Sequence, residues 1–175
     1  MVPTKRTLPA TLAVVVAASG LLSGCLEREE SRAAVVVNGR TILESDVQQA
    51  TREFNGGSSK ATQPMSPTDV VTALAYGQFV LPAVQQAGQA VSDDVARQVL
   101  DKVDDPSPTT IEFVRSALAL GKLDPAVEAK VVQQLKAADI RVNPRYGAFD
   151  RERLSIRPEA RNWMTLDSAS APKNP

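Results

Sequence analysis

One residue in this chain carries side-chain chemistry that no other residue supplies. Cys25 is the single cysteine among 175 residues, and it follows two small residues, Ser23 and Gly24. Before them lies an apolar run from residue 8 to residue 22, and two basic residues precede that run. A run of about 15 apolar residues is short for a membrane span and typical of the hydrophobic region of an export signal. The spacing therefore predicts export and a thiol placed at the cleavage site.

Small residues followed at once by cysteine resemble the lipobox of bacterial lipoproteins. The resemblance implies signal cleavage between Gly24 and Cys25, a diacylglyceryl thioether on Cys25 and acylation of the new amino group. It also implies that the protein is lipid-anchored on the extracytoplasmic face of the bacterial cell membrane. Such an anchor holds firmly when two chains are attached, because each buried methylene contributes about 0.8 kcal/mol. The alternatives are an uncleaved membrane helix and a free buried thiol.

The composition of the sequence indicates four segments, and its net charge limits the kinds of partner that the protein can bind. We expect a signal peptide at 1–24, a lipidated N-terminus and charged tether at 25–32, one helical domain at 33–165 and a disordered tail at 166–175. A mature chain of this length can form one compact domain with its own core. Removing the two basic residues of the signal from 20 basic and 20 acidic residues leaves a net charge of −2. We therefore expect no nucleic-acid partner.

The absence of histidine limits the chemistry further. No residue can serve as the histidine of a Ser-His-Asp or Cys-His catalytic site, or as the imidazole ligand of a zinc site. The acidic pairs Asp93-Asp94 and Asp104-Asp105 fit a helix start and a turn, respectively. Carboxylate catalysis and oxygen-ligand metal sites remain open. We expect no enzymatic activity, no cofactor and no small-molecule substrate.

The ends of the domain carry β-strand signals. The β-branched segment 33–37, the turn signal Asn38-Gly39 and the segment 40–42 predict a β-hairpin. Residues 140–143 predict another short strand, and its simplest partner is residues 35–37. Pairing of these segments would join the two ends of the domain.

The rest of the domain carries helix signals. Capping residues followed by proline or an acid mark helix starts after Ser66, Ser92, Ser107 and Asp124. Val95, Val99 and Val103 repeat every four residues and predict an inward face. The sequence predicts a mainly α domain of about five helices with a small β element. The predicted helices are, in chain order, residues 44–54, 67–87, 93–103, 108–120 and 125–138.

Three motifs occur in a particular order within residues 33–150. A Val-Asn-Gly hairpin at 37–39 is followed by Ile42 and Val47, a Val-Ser-Asp-Asp-Val segment lies at 91–95, and Val-Asn-Pro-Arg-Tyr-Gly lies at 142–147. Together they resemble the SurA-like N-terminal domain of extracytoplasmic foldases, here in the form found in lipoproteins of Gram-positive bacteria. The resemblance implies a peptide-binding chaperone architecture.

Two departures from the family pattern affect this interpretation. Leu43 stands where the family usually has a threonine or serine helix cap. Residues 103–140 leave room for only two helices, so the parvulin prolyl-isomerase domain of many family members does not fit there. The resemblance therefore implies a chaperone or foldase-like protein without isomerase activity.

Large apolar side chains are the candidate contacts for unfolded or partner polypeptides. We expect Phe79 and Phe113 to lie in the core instead. An arginine-rich segment, residues 141–161, is interpreted as a solvated and partly paired surface. The alternative function is a non-catalytic accessory or structural subunit that docks one membrane or cell-envelope partner. The candidate peptide-binding residues are Tyr76, Phe149, Trp163 and Met164.

Overall fold

The computed structural model describes residues 32–59 and 62–157. Predictions that concern residues 1–31 and 158–175 lie outside this part of the chain. They include the signal peptide, the cleavage and lipidation at Gly24 and Cys25, the peptide contacts of Trp163 and Met164, and the disordered tail.

The described residues form five helices and five short strands, so the predicted mainly α fold with a small β element is confirmed. The helices are α1 (Glu44–Gly57), α2 (Pro67–Gln86), α3 (Asp93–Val99), α4 (Pro108–Leu120) and α5 (Pro125–Ala137). The strands are β1 (Ala33–Val37), β2 (Arg40–Leu43), β3 (Ile140–Val142), β4 (Ala148–Asp150) and β5 (Ser155–Arg157).

Strands β1, β2 and β3 form an antiparallel sheet with the order β2-β1-β3. The hairpin turn has positive φ at both central residues, 49° at Asn38 and 84° at Gly39, which suits a tight turn between twisted strands. Val35 pairs with Val142 and Val37 pairs with Ile140, so the predicted closing strand is confirmed.

Side-chain amides close both ends of the β1–β3 pair. At one end Asn143 donates its backbone N–H to the Ala34 carbonyl (2.9 Å) and its side-chain amide to the Ala33 carbonyl (3.0 Å). At the other end the Asn38 N–H donates to the Asp139 carbonyl (2.8 Å), and the Asp139 N–H donates to Asn38 Oδ1 (2.9 Å). The two chain segments, about 100 residues apart, are therefore held along the whole length of β1.

Helix α1 begins without a side-chain cap, because Leu43 occupies the capping position. The Glu44 N–H instead donates to the Arg32 carbonyl at 2.9 Å. A backbone carbonyl thus satisfies the first N–H of α1, whereas the capping serine hydroxyls of other helices accept the N–H at the third helical position. The helix also continues to Gly57, beyond the predicted end at residue 54.

Helix α2 is the central helix of the core. Ser66 and Asp69 form a reciprocal capping box at its start, and the helix continues through the exposed Pro82. At Gly77 an added Cβ would lie 2.1 Å from Ser116 Oγ, so only glycine allows α2 and α4 to approach this closely. Ser116 is fully buried and donates its hydroxyl to the Glu112 carbonyl within α4 (2.8 Å).

Helices α4 and α5 begin at the predicted caps, Ser107 and Asp124. On α4 the buried face includes Ala119, whereas the neighbouring Leu118 is only partly buried. The side of α5 that faces the core consists of four buried apolar residues, the last of them at the C-cap. They are Val127, Val131, Leu135 and Ala138.

The prediction for the third helix was wrong in both length and face. Helix α3 ends at Val99, and its residues in the core are Ala96 and, at the C-cap, Leu100. Val95 is 43% exposed, although its four-residue repeat with Val99 predicted burial. Neighbouring positions on a helix differ by about 100° around its axis, so this one-residue shift turns the valines away from the core.

A second, unpredicted hairpin follows the closing strand. Strands β4 and β5 pair antiparallel, with Phe149 opposite Ile156, and Leu154 in the turn has φ of 49°. The Tyr76 hydroxyl on α2 donates to the Leu154 carbonyl. Arg151 donates to the Lys136 carbonyl at the end of α5. The hairpin is therefore fixed to two different helices.

The closing strand generates a stability prediction. Ile140 is buried in β3, whereas its neighbour Arg141 is exposed. We expect Ile140→Asp to lower the free energy of unfolding by on the order of 3 kcal/mol, because a charge would replace an apolar side chain in the core. Arg141→Gln on the same strand should change it by less than about 0.5 kcal/mol. Thermal unfolding of both variants measures the difference, and equal effects would contradict the observed orientation of β3.

Candidate functional site

An apolar groove of about 230 Å³ lies along α3 and α4. Helix α3 is short and is held by its N-terminal end. Ser92 accepts the Val95 N–H at 3.3 Å. Arg115 of α4 donates to the Val91 carbonyl (2.8 Å) and to Asp93 Oδ1 (2.8 Å). These contacts fix the position of α3 while its outer side chains remain uncovered.

The floor of this α3–α4 groove is apolar and its rim is polar. Val95 is the one large hydrophobic side chain that residues 32–59 and 62–157 leave exposed. The rim carries Gln98 and Lys122, among other polar residues. A surface of this kind can hold apolar side chains by excluding water from the contact, and no covalent reaction is involved. The apolar lining consists of Val91, Val95, Val99 and Leu118.

A second groove, of about 380 Å³, lies between α2 and α5. One wall is formed by residues between Gln78 and Gln86 of α2 and by the next residue, Ala87, and the other by α5 residues including Val127 and Lys130. Asn38 of the β1–β2 turn lies at the end near Gln78 and Gln134. The apolar side chains of this α2–α5 groove are Phe79, Pro82, Ala83, Val127 and Ala87.

A third groove, of about 910 Å³, is polar, and two ion pairs lie within its lining, Arg40–Glu112 and Arg115–Asp93. Arg40 of β2 binds Glu112 at 2.7 Å and Gln78 at 2.6 Å, and Gln78 also donates to Glu112 at 3.0 Å. The arrangement links β2, α2 and α4. Within the described ranges no group of three or more histidine, cysteine or acidic residues is placed to hold a metal ion.

Glu53 of α1 borders this region and caps a neighbouring helix. Its carboxylate accepts the Ser107 N–H (2.9 Å) and the Thr110 hydroxyl at the start of α4, and it accepts the Gln49 amide (2.7 Å) within α1. Burial raises the pKa of Glu53, but the hydrogen bonds from Thr110, Ser107 and Gln49 together outweigh burial, so the pKa lies below its ordinary value of 4.5. The ionised carboxylate thus attaches α1 to α4.

The candidate aromatic residues lie elsewhere. Tyr76 is half-buried beneath the β4–β5 hairpin, where burial raises the pKa of its phenol. Phe149 is half-buried within that hairpin. Neither residue lines the α3–α4 groove. Phe79 and Phe113 are core residues, as predicted, and the ring of Phe113 meets that of Phe54 edge-on at 5.2 Å.

The arginine-rich segment forms ion pairs on the surface. Arg145 pairs with Glu44, and Arg153 pairs with Asp150 at 3.1 Å. The Arg145 guanidinium also lies 5.9 Å from the centre of the Tyr146 ring. Exposed pairs of this kind contribute about 0 to 1 kcal/mol each. The paired arginines of this segment therefore stabilise the contact with α1 and the β4–β5 hairpin, more than they provide positive charge for a partner.

Sequence reasoning missed the valines of the α3–α4 groove. The signal was present in the spacing of Val91, Val95 and Val99, but the same repeat also describes a buried face. An exposed valine face is distinguished from a buried one by the neighbouring pair Ala96 and Leu100, which has the same four-residue spacing and packs inward.

Comparisons with known proteins give no assignment: no family model matches the chain, and neither a curated protein nor a solved structure is significantly similar to it. Among the helices within residues 32–59 and 62–157, none has the length and apolar character needed to cross a bilayer.

The capping carboxylate generates a pH-dependent prediction. Because the folded pKa of Glu53 is lowered, its stabilisation is complete above 4.5 and is lost as the pH falls through the folded value. We expect Glu53→Gln to lower the free energy of unfolding by about 1 to 2 kcal/mol at neutral pH.

The difference between wild type and Glu53→Gln should shrink as the pH falls below 4.5. Urea unfolding at several pH values measures it. Asp94→Asn is a matched control on α3, since no side-chain hydrogen bond joins Asp94 to another helix among the residues described. A constant difference between wild type and Glu53→Gln across this range would contradict the role of the ionised carboxylate.

Proposed function

We propose that the chain is a lipoprotein, anchored on the extracytoplasmic face of a bacterial membrane through Cys25, whose SurA-like helical domain binds polypeptide segments without catalysing a reaction. The observation that carries the binding part is the exposed apolar lining of the α3–α4 groove. The sequence pattern around Cys25 supports the anchoring part.

The chemistry of the groove favours a polypeptide ligand of low specificity. Its lining is aliphatic, with Val95 at its most exposed point. Aliphatic contact is non-directional and scales with the area buried, so many different apolar side chains fit. A segment bound this way retains a free backbone on its outer side, where the amides of Gln98 and Gln89 on the rim can bind it.

The architecture keeps this groove separate from the elements that hold the domain together. The N-terminal strand β1 and the closing strand β3 pair in the sheet, and α3 contacts the core through Ala96 and Leu100. A ligand on the outer face of α3 would leave these contacts intact. Binding therefore requires no unfolding of the domain.

The binding proposal predicts a specific loss of affinity. We expect Val95→Asp to weaken binding of labelled peptides rich in valine and leucine about tenfold, equivalent to about 1.4 kcal/mol, because the groove would then carry a charge. Ala129→Asp adds the same charge on the exposed face of α5 and should leave the affinity unchanged. Fluorescence anisotropy measures both, with circular dichroism as the check on folding.

Crosslinking distinguishes a general chaperone from a dedicated accessory subunit. A photoreactive amino acid in place of Val95 should give crosslinks to several unrelated proteins in intact cells. One crosslinked product alone would indicate an accessory subunit with a fixed partner. Equal peptide affinity for wild type and Val95→Asp would show that the α3–α4 groove is not the binding site.

The anchoring proposal has its own test. Cys25→Ser removes the thiol that would form the thioether. We expect the variant to remain unprocessed at 1–24 and to incorporate no fatty-acid analogue, whereas Ser23→Ala should be processed and labelled like the wild type. Metabolic labelling and gel mobility measure both properties. Labelling of the Cys25→Ser variant at the wild-type level would refute the lipid anchor.

A further inference from the structure

Lys122 is the one charged residue that lines the α3–α4 groove. It directly follows Gly121, the C-cap of α4, and its backbone N–H donates to the Ala119 carbonyl at 3.1 Å. Its side chain is exposed. Among the residues that the structure describes, no ion pair or side-chain hydrogen bond involves its ammonium group. The charge at this edge of the groove is therefore available to a ligand.

The acidic residues of α3 and α4 do not neutralise this charge. Asp93 and Glu112 form ion pairs with arginines at 2.8 Å and 2.7 Å. Asp94 lies in the first turn of α3 and is not part of the groove lining. Asp124, near the rim, accepts two backbone N–H groups as the N-cap of α5. The lining of the α3–α4 groove thus combines an apolar floor with one positive charge.

The spacing of Leu118 and Lys122 matches the repeat of an extended polypeptide. Both residues line the groove, and four residues along the chain place them on the same side of the end of α4. They are separated by about 6 Å along the helix axis, at 1.5 Å per residue. In an extended chain, side chains two residues apart point to the same side and are separated by about 6.6 Å. One ligand side chain can therefore contact Leu118 while the second next to it meets Lys122.

We propose that the α3–α4 groove selects extended polypeptide segments in which an aspartate or glutamate lies two residues from an apolar side chain. The apolar side chain packs against Val95 and Leu118, and the carboxylate pairs with Lys122. A lysine or arginine at the position of the carboxylate would be repelled by Lys122, so basic segments bind more weakly.

This preference rests on the proposed function, because it concerns the same groove, and it adds the class of segment that the groove would bind. Burial of the apolar side chain supplies the affinity, since it removes apolar area from water. The ion pair with Lys122 is exposed, and an exposed pair changes affinity only a few-fold. The charge therefore discriminates between segments that the apolar floor alone would bind equally.

Three peptides with blocked ends measure the preference. Each carries valine and leucine at alternate positions, and the residue two positions after the last leucine is glutamate, glutamine or lysine. A second set places the variable residue two positions before the first valine, to cover both chain directions. In at least one set, the full-length protein in a neutral detergent should bind the glutamate peptide about threefold more tightly than the glutamine peptide, and the lysine peptide about threefold more weakly. Added salt should reduce both differences.

Variants of Lys122 assign the preference to this side chain. Lys122→Gln should abolish the differences among the three peptides, and Lys122→Glu should reverse their order. Lys136→Glu is the matched control, since it makes the same change of charge at the opposite end of α5 from Asp124, about 18 Å along the helix. It should leave the threefold differences in place. Circular dichroism checks that each variant is folded.

The outcomes separate this preference from the proposed function. Equal affinity of the wild type for all three peptides, with weaker binding of the glutamine peptide to Val95→Asp, would overturn the preference and leave the proposed function intact. A preference that persists in Lys122→Gln, or that Lys136→Glu removes equally well, would also overturn it, because the overall charge of the protein would then be the cause. No binding of any peptide would refute both proposals.

Discussion

The structure depends on a strand that is buried along its whole length. All five residues of β1 are buried, and the strand forms hydrogen bonds with β2 on one side and β3 on the other. A buried strand must satisfy its backbone on both edges, because an unpaired buried amide costs about 1 to 3 kcal/mol. The hairpin satisfies one edge locally. The other edge is satisfied by β3, which begins at Ile140 and follows all five helices in the chain. Completion of the sheet therefore depends on the path that the helices give to the chain between β2 and β3.

Close packing of the helices determines where apolar surface remains exposed. Gly77 allows α2 to approach α4, and α1 is attached to α4 through Glu53. These contacts fill the centre of the domain, and α3, with only seven residues, covers one flank of α4 through Ala96. Because α3 packs inward through Ala96, the valines on its other side have no neighbouring element to cover them completely. The face with Val95 and Val99 is consequently left as a groove, and the proposed binding of polypeptide arises from this incomplete coverage.

Local sequence signals were sufficient to predict most of the helices and strands. The elements that were missed or assigned wrongly depend on contacts between residues far apart in the chain. Asn38-Gly39 identified the hairpin, and Ser66, Ser107 and Asp124 identified helix starts, because turns and caps are decided within a few residues. The face of α3 was assigned wrongly because two residue sets share one period and only tertiary packing selects between them. The β4–β5 hairpin was missed for a similar reason. Its position depends on the bond between Tyr76 and Leu154, which are 78 residues apart, and no local pattern encodes that contact. Of the candidate site, the sequence supplied the valines but not their exposure.

The position of β1 at the centre of the sheet also determines how the domain responds to mechanical load. A pull on the chain before Arg32 acts along β1, whose partners on both sides are antiparallel. Hydrogen bonds between antiparallel strands run perpendicular to the strands, so such a pull shears both rows of bonds together instead of opening them one after another. An edge strand under the same pull would resist with a single row. The domain is therefore expected to resist a pull along β1 with both rows of hydrogen bonds at once.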